Sequence, residues 1–211
     1  MKTLLAPQAN RITDCTQALI AAGGYNGFSY ADISAHVGIT KASIHHHFPK
    51  KADLVLTLVR RYRTAATEGM AALAAKDTGP LGCLEAYLGW WAACIGDGSM
   101  PLCICAMLAA EAPTLPAEVA EEVRLHFAGL AGWLESVLAS GAACGALHLQ
   151  TSPAAEAQLL MATVHGAMIS ARAYGDPKIF RTATNALLER LVLPSSPKNN
   201  RPAAAGKPVR P

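Results

Sequence analysis

The chain has 211 residues, of which 52% are hydrophobic, 6% aromatic and 16% charged. That is enough for one or two domains with a sizeable core, and an apolar mass drawn mostly from Ala and Leu favours helices over strands. No apolar run reaches the 18 or so residues needed to cross a bilayer, and the opening MKTLLAPQANR has no apolar core long enough for a signal peptide. A secreted or membrane protein is therefore excluded, and a cytoplasmic location is expected, with Cys15, Cys83, Cys94, Cys103, Cys105 and Cys144 as reduced thiols.

The formal net charge of +3 is unevenly spread. Residues 1–63 carry eight Lys/Arg against three Asp; residues 64–194 carry six against twelve Asp/Glu; the last 17 residues carry four and no acid. A basic N-terminal unit on an acidic body points to a polyanion partner for the former.

In chain order, apolar residues at Ile12, Cys15, Ala18, Leu19 and Ala22 recur at helical spacing, predicting a helix over 8–22 that Gly23-Gly24 stop. Ser29 with Asp32 three residues on fits a capping box, and Phe28 with Ile33 a hydrophobic staple, so a short helix follows and ends by Val37 at Gly38. Thr40 caps another helix with Lys41 to His47 as its body, and Pro49 suits the first turn of a helix from about Lys50 into Arg60-Arg61-Tyr62-Arg63. Beyond Thr78-Gly79-Pro80, residues 81–96 place Cys83, Tyr87, Trp90, Trp91 and Cys94 close to one face. Further helices are expected over 102–112, from Pro113/Pro116 to about 140 with Gly141/Gly145 closing it, over 153–174 and over 177–193. The stretch 195–211 reads as a disordered basic tail. The fold expected is all-α: a helix-turn-helix unit at 1–55 and a larger helical effector-sensing and dimerisation domain at 56–194.

Two short helices joined by a Gly-containing turn, the second opening at a Thr cap, make a helix-turn-helix. Thr40, Lys41 and Ser43 occupy the first turn of its second helix, the part that enters a major groove, and Lys50 and Lys51 start the next helix, where backbone N–H groups and cations grip a phosphate. The composite of the capped helix, Ile33, Gly38-Ile39-Thr40-Lys41, Ile44, His47-Phe48, Lys51 and Leu54 resembles the N-terminal domain of TetR-type (TetR/AcrR) transcriptional regulators over residues 9–58. Three positions depart from that pattern: His45 stands where Tyr is usual, Ser34 where Ala is, and Ala42 where Gly is. The residues assigned to DNA are Ser29, Thr40, Lys41, Ser43, His45, His46, Lys50 and Lys51, with His47 given to the core beside Phe48. Consecutive helical residues fan out by about 100°, so the three histidines do not converge on one metal ion.

The resemblance implies a two-fold dimer on a palindromic duplex operator, paired through 153–174 and 177–193, and an effector pocket in the body. Ala157, Leu160, Met161, Val164, Ala167, Met168 and Ala171 run nearly all round the first of these helices, as a helix buried on two sides requires. Tyr87, Trp90, Trp91, Met107, Phe127, Trp133, Met161 and His165 are the candidate pocket lining. No charged residue marks a pocket floor, so a small apolar or neutral effector is expected, releasing a repressor from its operator. A second reading rests on Cys103, near the start of the 102–112 helix where the dipole favours thiolate. With Glu111 eight residues on, the segment is similar to that of TetR-type repressors that sense electrophiles such as N-ethylmaleimide and reactive chlorine. If both were helical, Cys103 and Cys105 would stand about 200° apart, on opposite faces. A soft-metal sensor using further cysteines, His126 or His148, and a helical interaction module that binds no DNA, are the remaining alternatives. No phosphate-cradling Gly loop, HExxH, CxxC or G-x-S-x-G is present, and Glu118, Glu121 and Glu122 read as a solvated first turn, so neither an enzyme nor a cofactor is expected.

Overall fold

The computed structural model describes residues 6–76 and 78–192, and within them the chain is helical with no strands. The helices are α1 (Pro7–Gly23), α2 (Tyr30–Val37), α3 (Lys41–His47), α4 (Lys51–Ala74), α5 (Gly79–Gly96), α6 (Ile104–Ala110), α7 (Ala117–Ala143), α8 (Pro153–Tyr174) and α9 (Lys178–Val192). The tail expected at 195–211 lies outside the described residues.

The N-terminal unit folds as its sequence requires. Asp32 accepts from the Ser29 N–H at 2.7 Å and Ser29 Oγ accepts from the Ala31 N–H at 3.2 Å, closing the cap of α2, while Phe28 and Ile33 are buried beside it. Gly38 ends α2 at φ 72°, a left-handed conformation that a residue with a Cβ adopts at a cost. Thr40 Oγ1 accepts from the Ser43 N–H at 3.2 Å to open α3. Ile12, Ile20, Ile33, Ile44 and Phe48 close the small core over α4. Pro49 is not in the first turn of α4: Lys50 is the N-cap, its N–H held by Asp53 at 3.1 Å, so Pro49 stiffens the extended link from α3.

α4 is continuous across the boundary expected at 55/56, and packs on α1, α5 and α7. Three further expectations are corrected. The 102–112 helix is shorter, because Cys103 is extended (φ −65°, ψ 120°) and the chain turns into a 3-10 segment, Ala112–Thr114, ahead of Leu115. α7 runs to Ala143 with Gly141 inside it, where a Cβ would stand 2.3 Å from Leu147 Cδ1; Gly145 (φ 75°) closes the helix instead. Glu122 is not solvated. It is buried between α7 and α4, accepting from Arg60 Nε at 2.8 Å and Arg63 Nε at 3.0 Å. Glu156 forms the other buried ion pair, with Arg190, and also accepts the Gln150 and Thr151 N–H groups, tying α8 to α9.

Burial raises the pKa of Glu122, but the two guanidiniums outweigh it and hold the carboxyl below its ordinary value. A depressed folded-state pKa contributes stability that is present above the unfolded value and lost as pH falls through the folded one. Glu122→Gln should cost about 1–3 kcal/mol near neutrality. Urea midpoints of the two proteins are expected to converge as pH falls below the ordinary glutamate range.

Candidate DNA-reading face and effector cavity

On the helix-turn-helix, Thr40, Lys41, His45, His46 and Lys50 are exposed and Ser43 is half-buried, its hydroxyl accepting from Gln8 Nε2 at 3.2 Å. His45 stacks edge-on against Tyr30, ring centroids 4.7 Å apart, and its Nδ1 lies 3.3 Å from the Pro49 carbonyl. Tyr30 itself donates to the Phe48 carbonyl at 2.8 Å, and its pKa is pushed up to about 12 by burial and by the nearby Asp53. Ser29 is exposed, with its hydroxyl spent on the cap of α2. His47 is half-buried next to the buried Phe48.

Lys51, expected at a phosphate, turns its ammonium toward its own fold here. Its ammonium lies 4.0 Å from the Phe28 ring centroid and 4.7 Å from that of Tyr25, and donates to the Phe28 carbonyl; burial lowers its pKa. Other cations of the basic block are engaged inside the molecule too. Arg11 donates to the Val37 carbonyl at 2.9 Å, Arg61 pairs with Asp14 at 2.6 Å, and Arg60 and Arg63 share Glu122. Lys41 and Lys50 are the exposed lysines on and just after α3.

The body encloses a cavity of about 500 Å³ between α4, α5, α7 and α8. Of the residues expected to line it, Tyr87, Trp90, Trp91 and His165 do. Trp90 is 48% exposed at the edge, packed edge-on against Trp91, so the face predicted for α5 is split between core and mouth. Met107, Phe127, Trp133 and Met161 lie outside the lining. Two of them sit behind it: Trp133 packs on Tyr87 at 5.5 Å and Phe127 on His165 at 5.2 Å. The sequence reading missed Tyr62, Met70, Met100 and His126 as lining residues, and it missed Arg61 and Lys76, which bring charge to the wall. Tyr62 was hidden among three arginines, although Val55, Val59 and Tyr62 fall at the spacing of one helix face.

Cys103 lines this cavity and is 1% exposed. Tyr62 Oη donates to its Sγ at 3.4 Å and His126 Nε2 lies 4.0 Å away. Cys103 is extended ahead of α6, so the helical phase expected between it and Cys105 does not apply. Interaction with the nearby Cys105 thiol, aided by His126 and His165, holds the Cys103 thiol below its ordinary pKa against the opposing effect of burial, and Cys105 is pushed up in turn. Among the described residues no group of three His, Cys, Asp or Glu side chains could hold a metal ion, so nothing supports the soft-metal alternative.

Two arms join the cavity walls to the end of α1. Glu111, closing α6, accepts from the Tyr25 N–H at 2.9 Å and from the Asn26 N–H and Nδ2 at 3.0 and 2.7 Å. It approaches so closely that a Cβ on Gly24 would stand 1.6 Å from its Oε1. Arg172 of α8 donates to the Ala21 and Ala22 carbonyls, both at 2.7 Å.

Residues 12–58 match the family model "Bacterial regulatory proteins, tetR family", and residues 80–187 match "Tetracyclin repressor-like, C-terminal domain". A TetR-family transcriptional regulator from Agrobacterium tumefaciens is 52% identical, with 89% of this chain and 100% of that one covered and a TM-score of 0.86. A TetR regulator from Legionella pneumophila (22% identity, 90% and 99% covered, TM-score 0.79) and E. coli NemR in its reduced form (17%, 89% and 99%, TM-score 0.74) share the fold. No curated protein matches. The fold and these matches define a helix-turn-helix, DNA-binding transcriptional regulator. The chain belongs to the TetR family. No helix of the described residues is long and apolar enough to cross a membrane.

His126→Asn takes an imidazole from beside Cys103, and the thiol should titrate at higher pH. The thiolate ultraviolet absorbance, taken as a difference from Cys103→Ser, measures it; an unchanged titration would mean that His126 does not support the thiolate.

Proposed function

We propose that the protein is a homodimeric cytoplasmic repressor that holds a palindromic operator through α3 and lets go when a small, largely apolar ligand fills the cavity. The observation that carries this reading is the cavity itself: about 500 Å³, walled by Tyr62, Tyr87, Trp90 and Trp91, and sharing α4 with the DNA-reading unit. Arg61 and Lys76 on the lining extend the expectation of a neutral effector to one that carries a polar or anionic end at the wall. Dimerisation through α8 and α9 is supported by an exposed stripe of Ala155, Leu159, Ala162, Gly166, Ile169 and Ala173, three or four residues apart on the face of α8 turned away from the core. Pairing there would present two α3 helices to major grooves about 34 Å apart.

The coupling runs along short paths. α6 has Cys103 at the cavity and Glu111 on α1; α8 has His165 at the cavity and Arg172 on the same end of α1. A ligand that spreads these walls moves both arms together and turns the reading unit. It acts only to the extent that it binds the DNA-incompetent state more tightly. A second reading, in which modification of Cys103 replaces ligand binding, is favoured by the thiol's place on the cavity wall beside Tyr62 and His126.

Fluorescence anisotropy on the duplex upstream of the protein's own gene tests the reading. Tight, salt-sensitive binding is expected. Lys41→Ala and Lys50→Ala should each lower affinity and reduce the salt slope by about 1. Lys51→Ala, in contrast, should lower thermal stability and weaken binding with the slope unchanged, because its ammonium serves the fold. Failure of the wild-type protein to bind this or any palindromic duplex would overturn the proposal. Glu111→Gln is expected to leave operator affinity within a few-fold while raising the ligand concentration needed for release, which the same titration reads once a ligand is found.

A further inference from the structure

We infer that the cavity takes an organic carboxylate, and that the ligand's acid group binds Arg61 by displacing Asp14 from it. The inference rests on the ligand-released reading above and adds the ligand's charge, its anchor and the contact it breaks. Three observations carry it. First, the lining holds no Asp or Glu, while Arg61 and Lys76 bring two cations and His126 and His165 two imidazoles. Such a wall disfavours an amine and favours an anion. Second, Arg61 already serves a carboxylate: its Nη2 donates to Asp14 Oδ1 at 2.6 Å, and its Nη1 to Asn10 Oδ1 at 3.5 Å. Among the described residues one hydrogen bond joins Arg61 to Asp14, whereas a guanidinium can give a carboxylate two in parallel. The Asp14 side chain is 68% exposed, so the pair is weak and readily exchanged. Third, the contact joins the reading unit to the cavity. Asp14 and Asn10 belong to α1, and Arg61 to the stretch of α4 that walls the space. Gln17, about one turn beyond Asp14 in α1, is itself on the lining.

A carboxylate carried on an apolar body has an advantage over Asp14 at the same cation. Its rings or chain leave water among Tyr87, Trp90 and Trp91, and that burial adds to the ion pair. With the ligand's acid on Arg61, Asp14 faces a like charge and α1 loses a tie to α4. The exchange acts midway along α1, apart from Glu111 and Arg172, which hold its C-terminal end. The Asp14 contact belongs to the ligand-free arrangement and the ligand contact to the other, so whatever weakens the first strengthens the second.

Titration calorimetry on the full-length protein tests this with β-naphthoate, its neutral amide β-naphthamide and the cation β-naphthylmethylammonium, which share one ring system and differ in charge. Naphthoate is expected to bind about tenfold tighter than the amide, the worth of one hydrogen bond between charged groups, and the ammonium weakest. Arg61→Gln should erase that preference. Asp14→Asn should tighten naphthoate several-fold and leave the amide unchanged, a pattern that a misfolded variant, which loses both, does not give. The inference is overturned if naphthoate binds wild-type protein no tighter than the amide does, if Asp14→Asn leaves naphthoate affinity unchanged, or if none of the three binds at about 1 mM. The wild-type comparison needs no variant to fold. Operator binding by the ligand-free protein, read separately, decides the repressor reading: its absence would sink that reading and leave the carboxylate site standing on the calorimetry. Tight operator binding beside indifference to ligand charge would do the reverse.

Discussion

The arrangement depends on one unbroken helix, α4, that runs from the reading unit into the body. α4 has 24 residues, so it spans about 36 Å. Its first turns bury Leu54, Val55, Leu58 and Val59, and its later turns bring Tyr62 and Met70 to the cavity. Between them Arg60 and Arg63 are fixed to Glu122 of α7. The helix is thus gripped at its middle by the body and at its start by the reading unit. Both ends of the helix are therefore tied to close-packed neighbours, the reading unit at one and the cavity wall at the other.

Three acidic groups of the body make ties of this kind. Glu122 joins α7 to α4, Glu156 joins α8 to α9, and Glu111 joins α6 to the loop after α1. Each accepts hydrogen bonds from arginines, backbone N–H groups or neighbouring side chains. Buried ion pairs of this kind add little net stability over apolar packing, yet removing one partner strands the other charge. They fix which helix ends meet, and that register is what a switch has to change.

Much of this was legible in the sequence, and the reasons differ between elements. The caps at Ser29 and Thr40 and the turn at Gly38 are local signals, set by side chains that reach only two or three residues, and each formed as read. The bounds of α8 also formed as read, and in the structure Ser152 caps it at one end while Gly175 (φ 65°) ends it at the other. Tertiary partners were not legible. Lys51 carries the same residue type as an anion-binding lysine, and only the rings of Tyr25 and Phe28 beneath it turn it inward. Glu122 differs from its neighbour Glu121 by one helical step, which moves it from solvent to the α4 seam. The cavity was half legible, since aromatic residues on α5 point to it, but which of them line the space and which stand behind depends on the crossing of four helices.

All three tryptophans of the chain belong to one neighbourhood: Trp90 and Trp91 on the cavity lining, and Trp133 against Tyr87 behind it. The reading unit has none. Indole emission from this protein therefore comes from the cavity alone, and a change in its colour or intensity reports what enters that space without any label. Duplex bound at α3 meets no indole directly, so it reaches that spectrum only through the coupling between the reading unit and the cavity.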